Sequence, residues 1–302
     1  MFTLPGNGPS KRRVWALSAT GLVGTVVVVS LVAATRMLTG STPVMVTAYD
    51  VLAQSGKTTT LQVKLQRGIG LRDAKDERVT FRLPGGENVS ATTDDEGVAS
   101  VTTRFDSPGN YTVPLVLSKR FARGGGDAKG EVAVRVFVRP GDVRIAVCDV
   151  DHTLADISAI KVLVTPNEET PALPGAREVL SRLVETHLIV YLTARDDKLL
   201  NKTRDWLAMK GFPEGPVFAR DLGPDSLSAR KFKTAWLKEF TTSWSNVAYG
   251  FGDRDEDAAA YDAAGIESYI VGGDGFEPDE LPTSSHGVKD WAAIGKHLFA
   301  RD

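Results

Sequence analysis

Three changes of texture along the 302-residue chain predict a membrane-spanning helix, then a β-sandwich, then an α/β domain with a doubly wound parallel sheet. Residues 14–34 carry no charge, residues 43–139 are rich in Val, Thr, Phe and Tyr, and beyond Pro140-Gly141 apolar runs alternate with helical periodicity.

Taken as a helix, residues 14–34 extend about 31 Å, which matches a hydrocarbon core ~30 Å thick. Lys11, Arg12 and Arg13 precede this stretch and Arg36 follows it. The positive-inside bias therefore puts residues 1–13 in the cytoplasm and everything after the helix outside it. A cleaved signal peptide is the competing reading, because Val32-Ala33-Ala34 is an acceptable cleavage site. The apolar stretch is, however, longer than the ~7–15 residues of a signal core. Residues 35–42 read as a linker.

Within 43–139, runs at 44–51, 59–65, 79–83, 98–105, 111–117 and 132–138 read as strands. Leu61-Gln62-Val63-Lys64-Leu65 shows the period of two. Turn clusters such as Pro84-Gly85-Gly86, Asp94-Asp95-Glu96-Gly97 and Pro108-Gly109-Asn110 separate the runs. Short strands at this spacing predict a sandwich. Thr93-Asp94-x-x-Gly97-x-Ala99 resembles a turn of bacterial immunoglobulin-like domains, which implies a spacer or binding module. The acidic turn reads as a solvated hairpin tip, with Ca²⁺ ligation as the alternative.

The α/β domain spans 142–302. Residues 143–150 form a near-continuous apolar run, as in a parallel strand buried on both faces. Further strands are expected at 188–192, 217–219, 247–251 and 268–271. Helices are expected at 175–184, 196–210, 229–240, 255–264 and 291–299, with Gly211 as a helix stop. Strands alternating with helices give a doubly wound sheet.

The 36 basic and 38 acidic side chains leave a formal net charge of -2, so the chain lacks the electrostatic footprint of a nucleic-acid-binding protein. Cys148 is the one cysteine, which excludes an intramolecular disulfide, and no zinc-ligand spacing is present. Its apolar surroundings mark it as a small core residue.

Ligands of such sheets lie at the carboxyl ends of the strands. Asp149-Val150-Asp151-His152-Thr153 and Thr193-Ala194-Arg195 fall at two of these ends. Lys231 and Lys233 lie on the 229–240 helix, and Gly252-Asp253-Arg254-Asp255-Glu256-Asp257 ends a third strand. These are the groups that phosphoryl transfer uses. One carboxylate attacks phosphorus, and a second protonates the leaving oxygen. Further carboxylates hold Mg²⁺, while hydroxyl and ammonium groups offset phosphate charge.

The ordered set resembles the haloacid dehalogenase (HAD) superfamily: Asp-x-Asp-x-Thr at Asp149, Asp151 and Thr153, then Thr193, a lysine, and Gly-Asp-x-x-x-Asp at Gly252, Asp253 and Asp257. The resemblance implies Asp149 as nucleophile and Mg²⁺ ligand. It implies Asp151 as general acid/base, also giving its backbone carbonyl to the metal. Thr193 would bind the phosphoryl group, with Asp253 and Asp257 completing the metal site. Thr153 supports the loop and stands with Arg195 among the substrate-binding residues. Lys233 is preferred to Lys231 for the lysine, and His152 stands where the superfamily usually has glycine.

The intervals 154–192 and 196–232 leave no room for a cap domain, only a flap at about 155–172, so an open site for a bulky or membrane-embedded substrate is expected. Tyr191-Leu192-Thr193-Ala194-Arg195, Phe212-Pro213-Glu214-Gly215-Pro216 and Phe251-Gly252-Asp253-Arg254 through Tyr261 are similar to the catalytic domain of lipins and of fungal actin-patch phosphatidate phosphatases. That similarity implies Mg²⁺-dependent conversion of phosphatidate to diacylglycerol. Two alternatives stand beside it: a broad phosphomonoesterase acting on soluble or protein substrates, and a non-catalytic phosphatidate-binding module.

Overall fold

The computed structural model describes residues 43–68, 70–122, 132–158, 161–222, 227–277 and 280–300. The expected membrane segment at 14–34 and the tail at 1–13 lie outside these residues. Among the described residues no helix is long and apolar enough to cross a membrane. The chain divides into two compact units, residues 1–139 and 140–302.

The first unit contains β1 (Val44–Ala48), β2 (Val51–Gln54), β3 (Thr58–Arg67), β4 (Arg72–Asp73), β5 (Arg78–Arg82), β6 (Asn88–Thr92), β7 (Val98–Arg104), β8 (Gly109–Leu117), the short helix α1 (Lys119–Ala122) and β9 (Ala133–Arg139). One sheet runs β1-β3-β4, with β7 also paired to β3, and the other runs β2-β9-β8-β5-β6. Alternate residues of both sheets, among them Leu61, Val63 and Leu65 with Val79, Phe81, Val113 and Val134, bury into one core. The period-2 pattern requires this of two packed sheets.

Two details depart from the expected strands. The 44–51 run is two strands rather than one, because the chain changes sheets there: β1 pairs antiparallel with β3, and β2 pairs parallel with β9. Strand β6 was not expected; its alternate residues are exposed, so it carries little apolar signal.

The second unit contains β10 (Ile145–Cys148), α2 (Ala176–Leu183), β11 (Leu188–Asp196), α3 (Leu200–Met209), β12 (Val217–Arg220), α4 (Ala229–Ser243), β13 (Val247–Gly252), α5 (Asp255–Asp262), β14 (Glu267–Val271), β15 (Ser285–Val288) and α6 (Trp291–Phe299). The sheet order is β12-β11-β10-β13-β14-β15, and every pair is parallel. The chain winds one way from β10 through β11 to β12, then restarts beside β10 at β13. That reversal leaves a crevice at the carboxyl ends of β10 and β13. All four residues of β10 are buried, as its continuous apolar run requires.

The helix expected from residue 196 starts at Leu200, because β11 continues to Asp196, whose carboxylate accepts the Lys198 N–H and caps a 3₁₀ turn. Gly211 (φ 74°) follows α3 in the left-handed conformation that closes a helix. β15, an expectation the sequence did not supply, is a four-residue strand containing a glycine.

Candidate active site

The loop after β10 is set by backbone bonds. Asp149 N–H donates to the Phe251 carbonyl at 2.9 Å, carrying the β10–β13 pairing one residue past the strand. The Leu154 and Ala155 N–H groups both donate to the Val150 carbonyl at 2.9 Å, and His152 N–H donates to the Ala155 carbonyl at 2.8 Å. This tight turn holds His152 at φ 57°. Glycine adopts this left-handed conformation without strain, and a histidine rarely does. Trp291 Nε1 donates to the Thr153 carbonyl at 2.7 Å and anchors the loop to α6. Thr153 is fully buried, and its hydroxyl oxygen meets no partner among the described residues.

The second strand end sits opposite. Gly252 closes β13 where a Cβ would lie 2.5 Å from Asp257 Cβ and 2.8 Å from its Oδ2. Only glycine lets the first turn of α5 fold back so closely. Asp253 N–H then donates to Asp257 Oδ2 at 3.3 Å. Tyr261, one turn further, donates its buried hydroxyl to the Phe251 carbonyl at 3.0 Å and lies 3.4 Å from the Val147 carbonyl, which ties α5 to both β13 and β10.

Asp149, Asp253 and Asp257 thereby converge, each offering a carboxylate oxygen within 4.8 Å of the others. Lys233 reaches in from α4, with its Nζ 3.0 Å from Asp149 Oδ1 and 2.5 Å from Asp257 Oδ1. Lys231 is exposed, and its N–H lies over the capping Ser228 hydroxyl instead. Of the two candidate lysines, the structure brings Lys233 to the acidic group.

Burial pushes the Asp149 carboxyl up to about 7; Lys233 opposes that, while Asp257, Asp253 and Asp151 add to it. Burial also raises Asp253, helped by Asp257. Burial works against the charge of Lys233, but Asp149 and Asp257 outweigh it and hold the ammonium above its ordinary value. Three carboxylates face one ammonium, so as a fully ionised group they carry an excess of two negative charges. A hard, oxygen-only donor set with that excess fits a divalent cation such as Mg²⁺.

Thr193 and Arg195 occupy alternate positions of β11 and so face the same side of the sheet. Thr193 is fully buried, and its Oγ1 accepts the Arg195 N–H at 3.2 Å. Arg195, expected among the substrate-binding residues, is 2% exposed and turns inward. Its guanidinium forks onto Asp151, with Nη2 to Oδ1 at 2.7 Å and Nε to Oδ1 and Oδ2 at 3.1 Å. Its Nη1 donates to Thr203 Oγ1 at 3.0 Å, and the Thr203 hydroxyl donates to the Leu199 carbonyl at 2.9 Å. The Asp151 carboxylate thus stands outside the three-carboxylate cluster. Thr203 and Trp291 were missed in the sequence: a threonine and a tryptophan on helices carry no local sign of the partner they reach.

The flap between β10 and α2 begins and ends at the bridge Ala155↔Ala172. Four hydrogen bonds tie it to α3 and its C-cap: Asn167 Nδ2 to the Lys202 carbonyl at 2.9 Å, Lys202 Nζ to the Thr165 carbonyl at 2.7 Å, Trp206 Nε1 to the Thr170 carbonyl at 3.0 Å and Lys210 Nζ to the Glu168 carbonyl at 3.2 Å.

Residues 146–272 match the family model described as PITM 1-3, LNS2 domain. No curated protein matches the chain. Among solved structures, a chain of the Pnkp1/Rnl/Hen1 RNA repair complex aligns at 16% identity over 44% of this chain and 43% of its own, with a TM-score of 0.37. The HAD-hydrolase YfnB from Bacillus subtilis, bound to magnesium, aligns at 12% identity over 52% of this chain and 98% of its own, with a TM-score of 0.38. A HAD-superfamily hydrolase of subfamily IA from Geobacter sulfurreducens PCA aligns at 13% identity over 52% and 96%, with a TM-score of 0.34. The alignment with the repair-complex chain thus spans less than half of that chain's length. The carboxy-terminal unit is an α/β domain built on a six-stranded parallel sheet.

Proposed function

We propose that this unit is a Mg²⁺-dependent phosphatase that hydrolyses a phosphate monoester through an aspartyl-phosphate on Asp149. The convergence of Asp149, Asp253 and Asp257 around Lys233 carries the reading. Asp149, Asp253 and Asp257, with the Asp151 carbonyl, would hold the Mg²⁺. The bound ion would supply charge neutralisation to the reacting phosphate.

The rest follows from the chain's own groups. Asp149 presents a carboxylate oxygen to phosphorus, and the nearby ammonium of Lys233 offsets the charge of the phosphoryl oxygens. Thr193 donates its hydroxyl to one of those oxygens. Asp151 gives a proton to the leaving alcohol and later takes one from the attacking water. The flap is too short for a cap domain, which favours a substrate too bulky to be enclosed. Phosphatidate, delivered by a membrane, is the substrate we favour. Residues 14–34 would anchor the chain, with the tail at 1–13 in the cytoplasm and both units on the other side. The first unit would act as an immunoglobulin-like spacer.

The full-length chain in lipid vesicles should release phosphate from phosphatidate with Mg²⁺ and stop on chelation. Asp149→Asn should lower turnover by on the order of 10⁴-fold or more. Turnover by that variant at the wild-type rate would refute the assignment. Release from a soluble ester but not from phosphatidate would leave a phosphomonoesterase and remove the lipid.

A further inference from the structure

We propose that Arg195 is a positioning residue for Asp151: backed by Thr203, it grips both carboxylate oxygens, Oδ1 through two donors and Oδ2 through a shared one, and so orients Oδ2, the less engaged, to carry the transferred proton. This rests on the phosphatase reading and deepens it. Oδ1 of Asp151 accepts from Nη2 at 2.7 Å and from Nε at 3.1 Å, whereas Oδ2 has only a share of the Nε–H at 3.1 Å. The Arg195 side chain is 1% exposed, whereas that of Asp151 is 14% exposed, so the carboxylate and not the guanidinium meets the opening. An arginine directed at substrate would need free donors facing the cleft. Here Nη1 is committed to Thr203, and Thr203 to the Leu199 carbonyl.

A two-point grip fixes the plane of a carboxylate in a way that a lysine cannot. α3 also holds the flap, since Lys202 and Trp206 on either side of Thr203 bond to it. The position of Asp151 is therefore fixed by the scaffold rather than by substrate.

An Asp149 oxygen bonds to phosphorus while the bond from phosphorus to the ester oxygen breaks. The electron pair stays on that oxygen, which takes the proton from Oδ2 of Asp151. Water then attacks phosphorus and gives a proton back to Oδ2, and the bond from Asp149 to phosphorus breaks. Free phosphate leaves and the Asp149 carboxylate is restored.

Misplacing the acid penalises esters in proportion to how much their leaving oxygen needs the proton. The test compares an alkyl phosphate with p-nitrophenyl phosphate, using full-length wild type, Arg195→Ala, Arg195→Lys and Thr203→Val with Mg²⁺ present. Arg195→Ala should lower kcat on the alkyl ester on the order of 10²-fold and on the aryl ester by less than about 5-fold, with KM little changed. Arg195→Lys should recover part of the alkyl rate. Thr203→Val should show the same selectivity more weakly, and it stands in for Arg195→Ala if that variant fails to fold. Equal losses on both esters, or a raised KM at unchanged kcat, would overturn the inference and return Arg195 to scaffold or substrate binding. A wild-type chain that cleaves neither ester would end the phosphatase reading and this inference with it.

Discussion

At the scale of the residue, Asp149 shows how burial and neighbouring charge act together. Its carboxyl is pushed from an ordinary value of 3.8 to about 7, first by burial, against the pull of Lys233. The sign of the stability effect follows from that upward shift. Below pH 4 the group is protonated whether the chain is folded or not, and it contributes no penalty. Between about pH 4 and 7 the unfolded chain ionises it and the folded chain resists, so stability falls across that window by on the order of 4 kcal/mol at most. The metal-free chain should therefore lose thermal stability from pH 4 to pH 7 through this group, and Asp149→Asn should flatten that part of the profile. Mg²⁺ should restore more stability at pH 7 than at pH 5, because it binds the ionised carboxylates. An identical pH profile for wild type and Asp149→Asn, read by thermal unfolding, would contradict the electrostatic account. Asp149 and Asp253 were legible in the sequence as acidic side chains at the ends of buried strands, and Asp257 through the Gly252-Asp253-x-x-x-Asp257 spacing; the structure brings the three carboxylates together. The inward turn of Arg195 was not legible, since it depends on Thr203, which lies on the next helix.

At the scale of the element, the site depends on how closely α5 can follow β13. Gly252 permits that approach, because any Cβ there would lie 2.5 Å from Asp257 Cβ. Gly252→Ala should shift the first turn of α5 and cost about 1–3 kcal/mol of stability. It should weaken Mg²⁺ binding by more than about 10-fold, as expected when the groups that orient metal ligands are disturbed. Titration calorimetry and thermal unfolding measure both effects, and an alanine variant with wild-type Mg²⁺ affinity would show that the close approach is dispensable. The alternation of strands and helices was legible in the second unit from β10 to β14, most plainly at β10 and β11, whose buried residues form continuous apolar runs. β15 was not, for its Ser285-His286-Gly287-Val288 sequence has neither an apolar run nor clean alternation. The division between β1 and β2 was equally hidden. An unbroken β-rich stretch does not say where a chain leaves one sheet for another.

At the scale of the whole molecule, the parallel sheet and its reversal between β10 and β13 bring together residues more than a hundred positions apart. The ordered motifs make that assembly legible in the sequence, since each falls where a strand or helix delivers it to one edge. Substrate class belongs to this scale too. The flap is held to α3, and on the proposed phosphatidate reading turnover of phosphatidate in vesicles should exceed that of a soluble alkyl phosphate by about 10-fold or more in kcat/KM. A preference for the soluble ester in a side-by-side assay would point to a small-molecule phosphatase.

In the proposed site, strand ends distant in sequence bind one divalent ion between them. Electron paramagnetic resonance with Mn²⁺ in place of Mg²⁺ tests this without relying on turnover. The wild-type chain should bind one tight Mn²⁺, and Asp253→Asn and Asp149→Asn should each weaken it by on the order of 10-fold or more. Absence of bound Mn²⁺, or binding unchanged by both substitutions, would contradict the account.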